Sequence, residues 1–194
     1  MVSEDFRFAF NHAMLYEIGS FFDPTDPEVI AGLCDTPVQK KKVGYVNIAE
    51  DSGGLTKYGI AKNPNPEVDV QNLNLEQAME VYERKYWKVA KCDQIPFPVS
   101  IMHFDCAVNM GTGRAAKFLQ TAVGVTPDGA IGQHTLDAIS CTAPATIIEK
   151  YAEARADFYN AIVANKPSQA KFLKGWLRRN DEVKQYCLDK LNPN

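Results

Sequence analysis

The amino-acid sequence predicts a mainly α-helical protein with one small β-hairpin. Three observations lead there. Apolar residues recur at spacings of three and four over most of the chain, which is the period of one helix face. Proline and glycine cluster between those stretches, where they punctuate helices. A convincing β pattern occurs in one place only, between residues 45 and 60.

The first element is a helix over residues 4–18. Phe6, Phe10, Ala13 and Glu17 step by four, three and four and share one stripe, apolar until its last member. Residues 19–49 are expected to be irregular, broken by Gly19, Pro24, Pro27, Gly32, Pro37 and Gly44, with a basic run at Lys40-Lys41-Lys42. Tyr45-Val46-Asn47-Ile48 reads as a short strand, Ser52-Gly53-Gly54 as its turn, and residues 55–60 as the return strand. Asn74 and Gln77 form a capping box for a helix over 75–89 with a buried stripe of Leu75, Ala78, Met79, Tyr82 and Tyr86. Ile101 to Met110 is apolar all round, the mark of a central buried helix, and stops at Gly111. Helices over 113–123, 132–140, 144–164, 168–179 and 181–191 complete the chain. Residues 1–112 are drawn as one region and 113–194 as a second, helical one, packed together as one compact body.

A chain of 194 residues buries roughly 70% of its unfolded surface, so it needs no external staples. The net charge of −3 excludes a general nucleic-acid binder, which requires a basic footprint. It also gives no whole-molecule attraction to an anionic wall or membrane. Cys34, Cys92, Cys106, Cys141 and Cys187 are scattered and odd in number, and read as free thiols of a reducing compartment. The N-terminus is acidic and aromatic, unlike a secretory signal, so synthesis in the cytoplasm is expected. No apolar run approaches the roughly 20 residues that span a bilayer, so stable membrane insertion is not expected. His12, His103 and His134 are too dispersed for a metal site, and no nucleophile elbow or phosphate cradle occurs, so neither metal nor cofactor is expected.

Two acidic segments remain as candidates for chemistry. Glu17 ends an apolar helical face immediately before a breaker, at the edge of a core. Partial burial there penalises the charged form, the condition for protonating a glycosidic oxygen near neutral pH. The plainer alternative is a helix-end glutamate facing solvent. The second segment runs from Glu50 and Asp51 through Gly53-Gly54 to Thr56, Tyr58 and Ile60. Its glycines permit close approach of a ligand, and its acids would project from a hairpin end. A pair of carboxyls is the usual equipment for glycoside hydrolysis, although a solvated polar turn reads the same way.

The order of these motifs resembles glycoside hydrolase family 108, phage-type N-acetylmuramidases. Members carry a helix ending in Glu-Gly-Gly, similar to Glu17-Ile18-Gly19 here. A segment of Asp-Pro-Gly-Gly-x-Thr-x-Tyr-Gly-Ile type follows, similar to Asp51 through Ile60. His103-Phe104-Asp105, Val108-Asn109 and Gly111 resemble the family's central helix. Phe118-Leu119-Gln120, Asp128-Gly129, Ile131-Gly132 and Thr135 resemble the predicted peptidoglycan-binding region that usually comes next, and Phe172 to Arg179 its C-terminal helix. The resemblance spans nearly the whole chain. It implies an α+β, lysozyme-like catalytic core over 1–112 and a peptidoglycan-binding-like region over 113–194.

One departure stands out. Positions 17 and 51 lie far apart, whereas the family's acid and aspartate stand close together, so residues 20–44 look inserted. A second register would put Lys42-Val43-Gly44-Tyr45 on Glu-Gly-Gly-Tyr and leave a lysine at the catalytic position. Glu17 is preferred because it ends the amphipathic helix. By carry-over, Glu17 is the general acid, and Asp51 and Thr56 hold or activate water. Tyr58 and Asn109 line the cleft and bind acetamido groups. Asp105 is either a rival second carboxylate or a structural tie. The basic helix of Lys171, Lys174, Arg178 and Arg179, with Phe172 and Trp176, could touch lipid or glycan, or simply pack its aromatics inward.

The implied activity is cofactor-free hydrolysis of the β-1,4 bond between N-acetylmuramic acid and N-acetylglucosamine in peptidoglycan. The implied agent is a monomeric endolysin, made in the host cytoplasm and released to the wall once a holin opens the membrane. A lytic transglycosylase on the same scaffold, and a non-catalytic wall-binding or virion structural protein, are the alternatives.

Overall fold

The computed structural model describes residues 2–47 and 53–191. The chain forms two compact units, Met1–Arg84 and Lys85–Asn194. The architecture is mainly α-helical with a single two-stranded hairpin among the described residues.

The N-terminal unit is built on α1 (Glu4–Glu17), which starts where the Ser3 hydroxyl accepts the Phe6 N–H at 3.2 Å. Phe6, Phe10, Ala13 and Met14 are fully buried. Phe10 centres an aromatic cluster, with ring centroids 5.9 Å from Phe6, 6.5 Å from Phe22 and 5.3 Å from Tyr82. Burying such rings contributes about 1.5–3 kcal/mol each.

The interval expected to be irregular contains two short helices, α2 (Pro27–Ala31) and α3 (Pro37–Lys42). Both start on a cap-proline pair. Asp26 accepts the Glu28 N–H, and Thr36 forms a full capping box with Gln39. A proline in the first helical turn gives up no needed donor and presets φ. The prolines read as breakers are therefore starters.

The hairpin pairs β1 (Thr56–Lys57) with β2 (Ile60–Ala61), Thr56 opposite Ala61 and Lys57 opposite Ile60. Its turn is Tyr58-Gly59, with φ of 50° and 72°. Two left-handed residues in a two-residue loop match the twist of the strands they join. The expected strand at 45–48 reduces to one bridge, Val46 to Thr56, and Ile48 and Ser52 lie outside the described residues. The return strand expected over 55–60 is thus bent back on itself. α4 (Leu75–Tyr82) carries the expected capping box, with bonds of 3.0 and 2.9 Å between Asn74 and Gln77. It ends before residue 89 because Glu83–Trp87 is a π-helical turn.

In the C-terminal unit, α5 (Val99–Met110) is buried at every position from Val99 to Ala107. It packs on α6 (Thr112–Ala122), α8 (Pro144–Asn165) and α9 (Ala170–Leu191), with α7 (Gln133–Ser140) between α6 and α8 in sequence. α9 is one helix where two were expected. Asn180, read as a break, is buried, and its Nδ2 donates to the Ala152 carbonyl at 2.9 Å. Gln120 is buried and organises the loop before α7. Its amide nitrogen donates to Asp128 at 2.7 Å, and its oxygen accepts the Gly129 N–H at 2.8 Å.

Candidate active site

Glu17 is the last residue of α1 and is exposed, not partly buried as the stripe implied. The buried part of the stripe stops at Ala13, and the helix ends before Gly19 (φ 93°). The carboxyl nonetheless has close company. A Cβ placed on Gly59 would lie 3.4 Å from the Glu17 Cβ and 3.7 Å from its Oε2. The hairpin turn therefore lies beside the acid's side chain, with space for about one methyl group between them. The same Cβ would lie 2.6 Å from the Tyr82 hydroxyl, which donates to the Tyr58 carbonyl at 3.0 Å. Tyr82, itself packed on Phe10, thus fixes the turn from behind. Only glycine satisfies both the left-handed φ and this close approach.

Thr56 stands on β1, half-buried, with its hydroxyl 3.5 Å from the Gly54 carbonyl as a weak donor. Tyr58 does not line a cleft. It is fully buried, and its hydroxyl donates to the Val29 carbonyl of α2. Burial pushes this phenol well above its ordinary value. Tyr58 therefore ties the hairpin to α2 and cannot reach an acetamido group. Lys57 beside it is also buried, with its ammonium 3.3 Å from the Gln71 carbonyl, and desolvation lowers its pKa. Asp51 lies outside the described residues.

Residues 20–43 form an excursion whose two ends meet. A Cβ on Gly44 would come within 3.2 Å of the Ile18 side chain, and the Tyr58 N–H donates to the Val43 carbonyl at 2.8 Å. Lys42, at the foot of α3, bridges Asp26 at 2.7 Å and Glu28 at 2.6 Å. Bonding to this ammonium lowers the pKa of both carboxyls and raises that of Lys42. Lys42 is thus a charged clamp of the excursion.

Asp105 and Asn109 belong to the C-terminal unit. Asp105 is buried, with Arg155 Nη1 at 2.7 Å from one oxygen and Arg179 Nη2 and Nε at 2.8 and 3.0 Å from the other. Burial alone would raise this carboxyl, but the two guanidinium groups hold it below its ordinary value of 3.8. As a catalytic carboxylate Asp105 is ruled out, because both oxygens are consumed by the ties to α8 and α9. Asn109, one turn further, is exposed. Its oxygen accepts from the Tyr159 hydroxyl at 3.1 Å and Arg155 Nη2 at 3.3 Å.

On α9, Arg179 turns inward, while Trp176 stacks between Tyr159 and Phe172 at 5.2 and 5.9 Å. His103 is fully buried, its Nε2 donating to the Ala90 carbonyl at 3.1 Å and its Nδ1 3.2 Å from the Tyr151 hydroxyl. Among the described residues no group of three or more His, Cys, Asp or Glu could hold a metal ion, and no helix is long and apolar enough to cross a membrane.

Glu17 and Thr56 thus belong to one unit, with the Tyr58-Gly59 turn just after Thr56 and beside Glu17, while Asp105 and Asn109 belong to the other. Sequence reading missed two supporting residues. Tyr82 was legible only as part of an apolar stripe. Arg155 left a readable signal, a lone charge on the stripe of Ile148, Tyr151, Ala152 and Tyr159.

Residues 36–111 match the family model Glycosyl hydrolase 108, and residues 114–181 match a second, Predicted Peptidoglycan domain. The first match includes Thr56, Tyr58, Asp105 and Asn109 and begins after Glu17. Comparison with curated proteins finds no match. Among solved structures, the chain is similar to SagA of Brucella abortus, at 27% identity and a TM-score of 0.64, over 94% of this chain and 95% of that one. Two consecutive segments thus match the glycosyl hydrolase 108 family model and a predicted peptidoglycan domain, and together they support a glycoside hydrolase that acts on peptidoglycan.

Proposed function

We propose that this protein is a peptidoglycan hydrolase, an N-acetylmuramidase that uses Glu17 as its general acid. The observation that carries the reading is the closeness of Glu17 to Gly59, where an added Cβ would lie 3.7 Å from Oε2; a carboxyl stands beside the turn of the motif that resembles the family's active-site segment. Glu17 donates its proton to the glycosidic oxygen as the bond from the anomeric carbon of N-acetylmuramic acid breaks. Water attacks that carbon, and its proton passes to Asp51, with Thr56 holding the water. Room for a water between two carboxyls corresponds to inversion. The biological setting that fits is a monomeric endolysin, made in the cytoplasm and admitted to the wall by a holin.

The test is turbidity loss of outer-membrane-permeabilised Gram-negative cells, comparing wild type with Glu17→Gln, both checked for folding by circular dichroism. Removal of a general acid costs at least about a hundredfold. Free reducing ends among the products support hydrolysis, whereas anhydro sugars would assign lytic transglycosylation instead. A variant as active as wild type removes Glu17 from the mechanism.

One observation favours the non-catalytic alternative. The family match starts at residue 36, after Glu17, which fits the second register, with Lys42-Val43-Gly44-Tyr45 on the family's Glu-Gly-Gly-Tyr. A folded wild type that binds sacculi and releases nothing would select that reading.

A further inference from the structure

A groove crosses the first turn of α6 in the C-terminal unit. It has two lobes, with cavity volumes of about 270 and 320 Å³. Both are lined by Gly113 and by Gly129 of the Asp128-Gly129 loop. The first lobe is mostly apolar, walled by Val89, Ala116 and Ile131 beside Thr112 and Lys91; the Lys91 ammonium donates to the Ile131 carbonyl at 2.7 Å, and Val89 is 60% exposed. The second is charged, walled by Arg114, Lys117 and Asp128.

Gln120 and the Ala130 N–H both bond to one oxygen of Asp128, at 2.7 and 2.8 Å, and the two exposed cations, Arg114 and Lys117, outnumber this one carboxylate in the lobe. Arg114 lies over the Phe158 ring at 4.1 Å, which holds its guanidinium in place.

Gly113 has no reason in the fold to be glycine. It is helical, has no left-handed φ, and a Cβ there would find nothing within 4 Å. Glycine is a poor helix former, so an α6 without other duties would carry a larger residue. What a side chain at 113 would occupy is the groove.

We propose that this groove takes the stem peptide of peptidoglycan, with alanine methyls in the Val89 lobe and a peptide carboxylate against Arg114 and Lys117. The inference rests on the peptidoglycan-directed reading above and names the part of the polymer that this unit holds. An apolar lobe beside a cationic one fits short aliphatic side chains joined to a carboxylate, whereas an uncharged sugar would make no use of the cations.

The test is binding of the full chain to two soluble probes, disaccharide-peptide muropeptides and N-acetylglucosamine oligomers, which carry no carboxylate, measured by calorimetry. Gly113→Leu is expected to be at least as thermostable as wild type and to lose about tenfold or more in muropeptide affinity. Binding of the N-acetylglucosamine oligomers should be unchanged. Lys117→Glu should reproduce the loss without filling the groove. Equal muropeptide affinity in wild type and Gly113→Leu would overturn the proposal. So would equal losses for both probes, which would assign the groove to sugar. Because the readout is binding, an inactive Glu17 leaves it intact, and its failure is separable from that of the muramidase reading.

Discussion

In the N-terminal unit one ammonium, Lys42, lies between two carboxylates, while in the C-terminal unit one carboxylate, Asp105, lies between two guanidinium groups. The signs are exchanged and the surroundings differ. Lys42 and its partners keep about a fifth to two-fifths of their side chains in water. Asp105 and Arg155 keep 1% and 0%. Water already solvates the first set, so pairing there gains little. The second set has lost its water, and every partner left unmatched carries the full cost of a buried charge. The outer cluster closes a surface excursion near the candidate acid. The inner one joins three helices and tolerates no missing member.

The largest effect separating the two clusters is expected from Arg155→Met. Leaving Asp105 buried with one partner should cost about 3–5 kcal/mol, measured by urea unfolding. Asp105→Asn in the same background should return part of it by removing the orphaned charge. An Arg155→Met protein as stable as wild type would dissolve the contrast.

Acid provides the next test, because the inner region also holds His103. Burial pushes this imidazole from its ordinary 6.5 down to about 4. Between those values the unfolded chain binds a proton that the folded one refuses, so the contribution is complete above pH 6.5 and lost as pH falls towards 4. A shift of that size corresponds to roughly 3 kcal/mol. The lowered Asp105 carboxyl acts in the same direction below its ordinary value, its share being lost as pH falls through the acid range. Unfolding free energies from pH 7 to pH 4 should fall accordingly, and His103→Leu should flatten the upper part of that slope.

The smallest effect belongs to the outer cluster. Lys42→Met should leave the melting temperature nearly unchanged, with calorimetry as the check. A drop as large as that of Arg155→Met would mean that the excursion is part of the core.

The same contrast explains what the sequence discloses. α1, the capping box of α4 and the all-round apolar α5 follow from local pattern, and the structure holds all three. Asp26-Pro27 and Thr36-Pro37 were legible as helix starts, but they sit among enough prolines and glycines to be taken for loop. The hairpin turn was misplaced because Gly53-Gly54 is the stronger turn signal, whereas Tyr58 adopts a left-handed φ that a tyrosine does not advertise. It is held there by buried bonds from Tyr82 and to Val29. Asp105 finds its partners 50 and 74 positions away, a pairing that no window of sequence contains. At the site, Glu17 was legible as a helix end. Its closeness to Gly59 was not, since it depends on how the turn folds back.

The excursion that leaves at Gly19 and returns at Gly44 behaves as a port in the chain. Its two mouths touch through Ile18 and Gly44, so whatever is threaded between them need not displace Glu17 from the hairpin. The entropy of closing such a segment grows only slowly with its length. Lineages could therefore lengthen, shorten or exchange this segment while the acid and the turn stay in register, and sequence spacing is a poor ruler for the distance between them.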